Sequence, residues 1–179
     1  AQLPAGPERD RLLTVTVVGG GFAGIEVFAE LRSLASDLIK DYPELTFEDT
    51  HFHLIEAMGR IMPEVSLETS KWVLNNLAER GAQVHLDTQL QSAENGLIQL
   101  STGEKFESDL IIWTAGVMAN PMLRATDFPL DERGRLRVRA DLRVEGDKGV
   151  IEGAWGAGDA TACPDLSGGG VGGYCVPNA

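Results

Sequence analysis

Leu12-Leu13-Thr14-Val15-Thr16-Val17-Val18-Gly19-Gly20-Gly21-Phe22-Ala23-Gly24-Ile25-Glu26 is the stretch whose reading decides the fold. Residues 12–18 form a short, β-branched apolar run that ends in glycines, which predicts a buried strand. From Gly21 to about Ile39 the pattern turns helical. Val27, Phe28, Leu31, Leu34 and Leu38 recur mostly at three- and four-residue steps and predict one apolar face. Asp41-Tyr42-Pro43 stops the helix, and residues 52–55 follow as a second strand closed by Glu56. A strand, a glycine turn, a helix and a second strand make the opening of a parallel, right-handed βαβ unit.

Gly19-Gly20-Gly21-Phe22-Ala23-Gly24 matches G-x-G-x-x-G in the setting that gives the motif its meaning. Gly19 allows the tight turn. Gly21 lets the backbone approach a pyrophosphate, and Gly24 lets the helix pack close to the sheet. The phosphates then meet unpaired N–H groups at the positive end of the helix. Gly19, Gly20, Gly21, Phe22, Ala23 and Gly24 are therefore the candidate cofactor-binding residues. Glu56 is the candidate ribose ligand, although its interval from Gly24 exceeds the usual ~20 residues; the alternative is a solvated carboxylate at a strand end. Ala57, not an arginine, follows Glu56, so no cation stands ready for a 2′-phosphate. Arg60 reads as a phosphate or adenine contact, or as a surface charge.

Further along, Ser66 predicts an N-cap, with Glu68 in the positive first turn, and Trp72, Val73 and Leu77 as the apolar side of the helix. Gly81 closes it. Residues 84–86 are a third strand. Residues 90–92, 97–100 and 105–107 are short strands separated by Asn95-Gly96 and Thr102-Gly103 turns, so a β-meander serves as the crossover. Residues 110–113 return as a buried strand. After Pro121 the signal weakens: residues 135–138 and 142–144 read as short strands, and residues 153–157 as one more buried strand. The fold class is α/β: a Rossmann-like parallel sheet with a β-meander crossover.

Composition narrows the function. A formal net charge of −12 repels phosphate backbones and argues against nucleic acid as a partner and against a basic patch for anionic lipid. No run of about 18 apolar residues is present. Residues 1–11 lack an apolar signal core and read as a polar lead-in cut from something longer. Cys163 and Cys175 form no C-x-x-C pair. His51, His53 and His85 match no zinc spacing, so strand histidines are expected and no metal site is assigned. The glycines cluster at 19–24, 153–158 and 168–173, which marks sites and not a linker.

Three segments in this order carry a family resemblance: Val18-Gly19-Gly20-Gly21-Phe22-Ala23-Gly24-Ile25-Glu26, Trp113-Thr114-Ala115-Gly116-Val117 and Trp155-Gly156-Ala157-Gly158-Asp159-Ala160. They resemble the type II NADH dehydrogenases, flavin-containing NADH:quinone oxidoreductases with two dinucleotide-binding domains. The resemblance implies an NADH domain inserted into a split FAD domain, hence a polar lead-in at 1–11, an NADH-binding domain at 12–118 and a partial FAD-domain tail at 119–179. It implies that Ala115 and Gly116 lie against NADH and that Gly158 and Asp159 belong to a partial FAD site. Glu26 is implied to face the nicotinamide–flavin junction as the one catalytic candidate; a solvated or salt-bridged glutamate is the alternative.

The implied cofactors are NADH and FAD, and the implied partner in the parent protein is a membrane quinone. The implied location is the cytoplasmic side of the plasma membrane, peripherally, through segments outside this stretch, which alone is expected to be inactive. A ferredoxin or rubredoxin reductase and a non-catalytic NADH-sensing module are the alternative readings, and a homodimer is left open. No side chain reads as a nucleophile or an essential general base, which suits hydride transfer. The two cysteines are expected as buried thiols.

Overall fold

A computed structural model describes residues 3–164. Cys175 and the glycines at 168–173 lie outside the described residues. The chain divides into two compact units, Ala1–Gly116 and Val117–Ala179.

The first unit opens with α1 (Pro7–Leu12), in a stretch where composition predicts only a polar lead-in. Six residues are too few to show a periodic signal. Tertiary ion pairs anchor the helix instead, Arg9 to Asp49 at 2.9 Å and Arg11 to Asp109 at 3.3 Å. Then come β1 (Thr14–Val18), α2 (Phe22–Leu38), β2 (His51–Ile55), α3 (Leu67–Glu79) and β3 (Gln83–His85). Ser66 caps α3 by accepting the Thr69 N–H, and Gly81 ends it at φ +81°. The meander follows as β4 (Leu90–Ser92), β5 (Leu97–Leu100) and β6 (Lys105–Glu107), antiparallel in that order, and β7 (Leu110–Trp113) completes the unit. Asn95 and Gly96 both take positive φ, the conformation a tight hairpin turn demands.

The main sheet has the order β3-β2-β1-β7, every pair parallel, with Val18 opposite both Ile55 and Trp113. Period-two alternation sends Val17, Phe52 and Leu54 to a core with Phe28, Ile61 and Leu77. It sends Val18 and Ile55 to the opposite face, where Ile98 and Leu100 of the meander cover them. Helices thus line one face of the sheet and the meander seals the other.

Four expectations need correction. On α2 the inward line is Gly24, Phe28, Leu31 and Ala35, while Leu34 and Leu38 are exposed. The close approach of Gly24 to the sheet selects the face; Leu34 lies around the helix from it, and Leu38, near the inward phase, is the last residue of α2. On α3, Trp72 is 68% exposed, and Ser70, Val73, Leu74 and Leu77 turn inward. β7 pairs only with β1 among the described strands, so Leu110 and Trp113 are exposed and the strand is not a buried one. In the second unit the run at 153–157 is the end of a largely exposed hairpin strand, not a buried strand.

The second unit contains β8 (Leu136–Arg137), β9 (Arg143–Gly146), β10 (Gly149–Trp155) and β11 (Thr161–Ala162). β9 and β10 pair antiparallel with a register shift between Val150 and Trp155, and β8 pairs parallel with β11. The shift breaks strict alternation, which leaves Trp155 exposed. Leu136, Val138 and Val144 form the core, with Leu123, Leu130, Ile151 and Ala154 against it. Cys163 packs there half-buried, less deeply than expected of a buried thiol.

Candidate functional site

β1 delivers the glycine loop at its carboxyl end. The chain leaves β1 through α2 to β2 on one side, whereas β7 joins β1 on the other after the meander. The strand order therefore reverses beside β1, the topological switch point at which open α/β sheets bind ligands.

The loop's glycines have separable reasons. Gly19 sits at φ +112°, and a Cβ there would stand 2.7 Å from Thr114 Oγ1 and 2.9 Å from the Ala115 nitrogen. Its own N–H donates to Ile55 C=O at 2.8 Å. A Cβ on Gly24 would run into the Gly19 carbonyl oxygen, so α2 starts closer to the strand than any side chain permits. Gly20 is enclosed, its missing Cβ facing Ile61 at 2.9 Å and the Glu56 carboxylate at 3.0 Å. Gly21 differs. It is the N-cap of α2 at ordinary extended angles, φ −73° and ψ −176°, and nothing stands within 4 Å of where its Cβ would be. The fold therefore does not need glycine at position 21. The open space there is room for a group approaching the helix N-terminus. Phe22 and Ala23, in the first turn, are exposed, and neither is capped by a side chain.

Glu56 is placed differently from a solvated strand-end carboxylate. It is 7% exposed. Oε2 accepts the Gly20 N–H at 2.6 Å and Oε1 accepts the Met58 N–H at 2.7 Å. On the other side of the loop, Thr114 Oγ1 donates to the carbonyls of Val18 at 3.0 Å or Gly19 at 3.2 Å. Ala115 and Gly116 follow β7 directly, Gly116 at φ +78° with open space around its Cβ position. Glu26 is exposed on the first turns of α2. Arg60 donates to the carbonyls of Met62 at 3.1 Å and Val65. It staples its own loop, an arrangement that neither expected reading of Arg60 anticipates.

The first unit thus brings Gly19 to Gly24, Glu26, Glu56, Ala115 and Gly116 onto the carboxyl ends of β1, β2 and β7 or the start of α2. Gly158 and Asp159 belong to the second unit. There Gly158 sits at φ +73° with open space beside it. Asp159 is exposed in a short 3-10 turn, and among the described residues no donor engages its carboxylate.

Sequence reasoning missed two participants, Ile61 and Met62, and the hydrogen-bonding role of Thr114. Thr114 pins the loop, and Ile61 and Met62 enclose it; Met62 N–H donates to Gly20 C=O at 2.7 Å. No motif announces Ile61 or Met62, and the motif around Thr114 does not disclose its bond, because each acts through a contact between segments remote in sequence.

The histidines lie elsewhere. His53 Nδ1 and His85 Nε2 share a hydrogen bond of 3.0 Å, and Phe106 stacks on His53 at 3.8 Å between ring centres. Burial, then the neighbouring His85 and His51, pushes His53 down to about 4. An open cavity of about 300 Å³, lined by Asp10, Arg11, His51, His53, Gln83 and Phe106, adjoins them near the amino ends of β1 and β2, away from the glycine loop. Among the described residues no group of three or more His, Cys, Asp and Glu is arranged to hold a metal ion, and no helix is long and apolar enough to cross a membrane.

The chain is similar to known proteins. The family model described as pyridine nucleotide-disulphide oxidoreductase matches residues 3–174. A probable NADH dehydrogenase of Dictyostelium discoideum is 29% identical over 145 residues, covering 80% of this chain and 32% of the relative. A type II NADH:quinone oxidoreductase of Haemophilus influenzae is 30% identical over 141 residues, covering 78% and 32%. Among solved structures, NDH2 from Plasmodium falciparum in complex with NADH shares the fold at a TM-score of 0.74 and 23% identity, over 90% of this chain and 35% of that one. The chain spans about a third of the length of the curated relatives it matches.

Proposed function

The chain belongs to the pyridine nucleotide-disulphide oxidoreductase family, and from that premise we propose that it is the NADH-binding core of a flavin-dependent NADH:quinone oxidoreductase. The observation that carries the reading is Gly21: a helix N-terminus at the switch point, with a space left open where only a ligand requires it. The names of the relatives from Dictyostelium discoideum and Haemophilus influenzae supply the substrate class. The resemblance supplies the inner face of the plasma membrane as the location and leaves a homodimer open.

In this reading the N–H groups at the start of α2, from Gly21 through Phe22 and Ala23, hold the pyrophosphate. Glu56 accepts from the adenosine ribose with the lone pairs its two backbone donors leave over. Ala115 and Gly116 let the dinucleotide lie close to the end of β7, and Glu26 faces the nicotinamide end. The second unit offers Asp159, whose carboxylate, engaged by no donor among the described residues, suits a hydroxyl donor of FAD such as the ribitol. Bound nicotinamide and flavin supply the hydride chemistry; the chain supplies position and electrostatics.

Calorimetric titration with both nicotinamide cofactors tests the proposal. The 2′-phosphate of NADPH would meet the Glu56 carboxylate and remove a hydroxyl donor to it. One charged hydrogen bond contributes about 1.5–3 kcal/mol, so NADH should bind roughly 10- to 100-fold tighter. Equal affinities, or tighter NADPH, would contradict it.

A further inference from the structure

The loop after β2 is built as a clasp around one peptide unit of the glycine motif. Glu56 Oε2 holds the Gly20 N–H at 2.6 Å, and the Met62 N–H holds the Gly20 carbonyl at 2.7 Å. Ile61, fully buried, lies where a Gly20 side chain would go. Met62 closes the clasp in a left-handed conformation, φ +47°, that residues other than glycine seldom adopt. The clasp is itself fastened: Met58 N–H returns to Glu56 Oε1 at 2.7 Å, and Asp87 N–H reaches Met58 C=O at 3.1 Å. A strained residue persists where surrounding contacts over-determine it. Here they converge on Gly20.

We propose, resting on the NADH reading above, that Glu56 is a positioning residue for the phosphate cradle: it fixes the Gly20 peptide before ligand arrives, and this acts separately from any contact with the adenosine ribose. The Gly20 N–H is committed to Glu56 and does not face the phosphate. Fixing the Gly20–Gly21 junction aims the next N–H groups, at Gly21, Phe22 and Ala23, out of the helix end. Binding then proceeds without the ordering of a flexible glycine run. The carboxylate also enters the site with its charge offset by two backbone donors, which limits its repulsion of the pyrophosphate.

Reduced nicotinamide mononucleotide separates the two roles, because it carries a phosphate and no adenosine ribose. On the full-length protein, Glu56→Gln keeps the shape but turns an amide NH2 toward one of the two backbone donors. Its affinity for the mononucleotide should fall about tenfold or more, the loss expected for one charged hydrogen bond. An unchanged mononucleotide affinity beside weakened NADH would overturn the proposal and leave Glu56 as a ribose ligand alone.

Native-state hydrogen exchange on the unsubstituted protein gives a second measure that does not depend on the variant folding. The Gly20 amide should be protected in the absence of nucleotide. Exchange as fast as at Gly21 until NADH is added would overturn the clasp. If the protein binds neither NADH nor the mononucleotide while Gly20 stays protected, the NADH reading fails and the proposed role in binding falls with it, although the clasp geometry stands.

Discussion

At the scale of single residues, the glycines of one motif carry unequal loads. Gly19 and Gly24 answer to the fold, and in the proposed reading Gly21 answers to the ligand. Gly21→Val should therefore abolish NADH binding while leaving the far-UV circular dichroism spectrum nearly unchanged. The substituted side chain enters open space at extended angles that valine adopts readily, and the loss of a glycine N-cap costs only about 1 kcal/mol. A variant that binds like the parent would show that the phosphate lies elsewhere.

The buried histidine pair yields a pH prediction. His53 is pushed down to about 4 in the folded state, against an ordinary 6.5. The unfolded chain thus binds more protons between those values. The contribution to stability is whole above pH 6.5 and is lost as pH falls toward 4, up to about 3 kcal/mol. Denaturant unfolding at pH 7 and pH 4.5 measures it. His53→Gln, which keeps a hydrogen-bonding partner for His85, should shrink the difference; an equal pH effect in parent and variant would place the titration at another group.

At the scale of elements, α2 is where sequence periodicity and the observed packing disagree. Leu34 and Leu38 extend the apolar spacing, yet Ala35 packs on the core and both leucines are exposed. Once Gly24 is pressed against the Gly19 carbonyl, the phase of the helix is set and Leu34 turns aside; Leu38, near the inward phase, is exposed as the last residue of α2. Gly24→Ala should accordingly displace the whole start of α2. It should destabilise the protein by about 1–3 kcal/mol, the range for overpacking, and weaken NADH binding as well. Thermal unfolding and titration together distinguish this from Gly21→Val, which should lose binding alone. Wild-type stability in Gly24→Ala would mean that α2 does not approach the strand as described. On α3, Trp72 lies on the opposite side of the helix from Ser70, Val73, Leu74 and Leu77, and is exposed although large and apolar.

At the scale of the molecule, every candidate NADH contact falls within Ala1–Gly116, and the candidate FAD contacts Gly158 and Asp159 fall within Val117–Ala179. We expect residues 1–116, expressed alone, to bind NADH with an affinity close to that of the 179-residue chain. Isothermal titration of both pieces checks this. Loss of binding in the shorter one would move the functional boundary beyond Gly116, toward the 118/119 boundary proposed from the sequence.

The sequence by itself determined the order of the main elements from β1 to β7, the meander that replaces a helical crossover, and the glycine motif with its acid at the end of the next strand. Those are local signals: period two against period 3.6, turn glycines, and an N-cap serine, each legible within about ten residues. Only the tertiary structure decided which face of α2 and α3 turns inward, that β7 lies at a sheet edge, and that Glu56 is buried on two backbone donors. It alone recruited Thr114, Ile61 and Met62 to the loop. These features depend on contacts between segments far apart in the chain, and a hydrogen bond from position 20 to position 56, or from 62 back to 20, leaves no trace in the spacing of either segment.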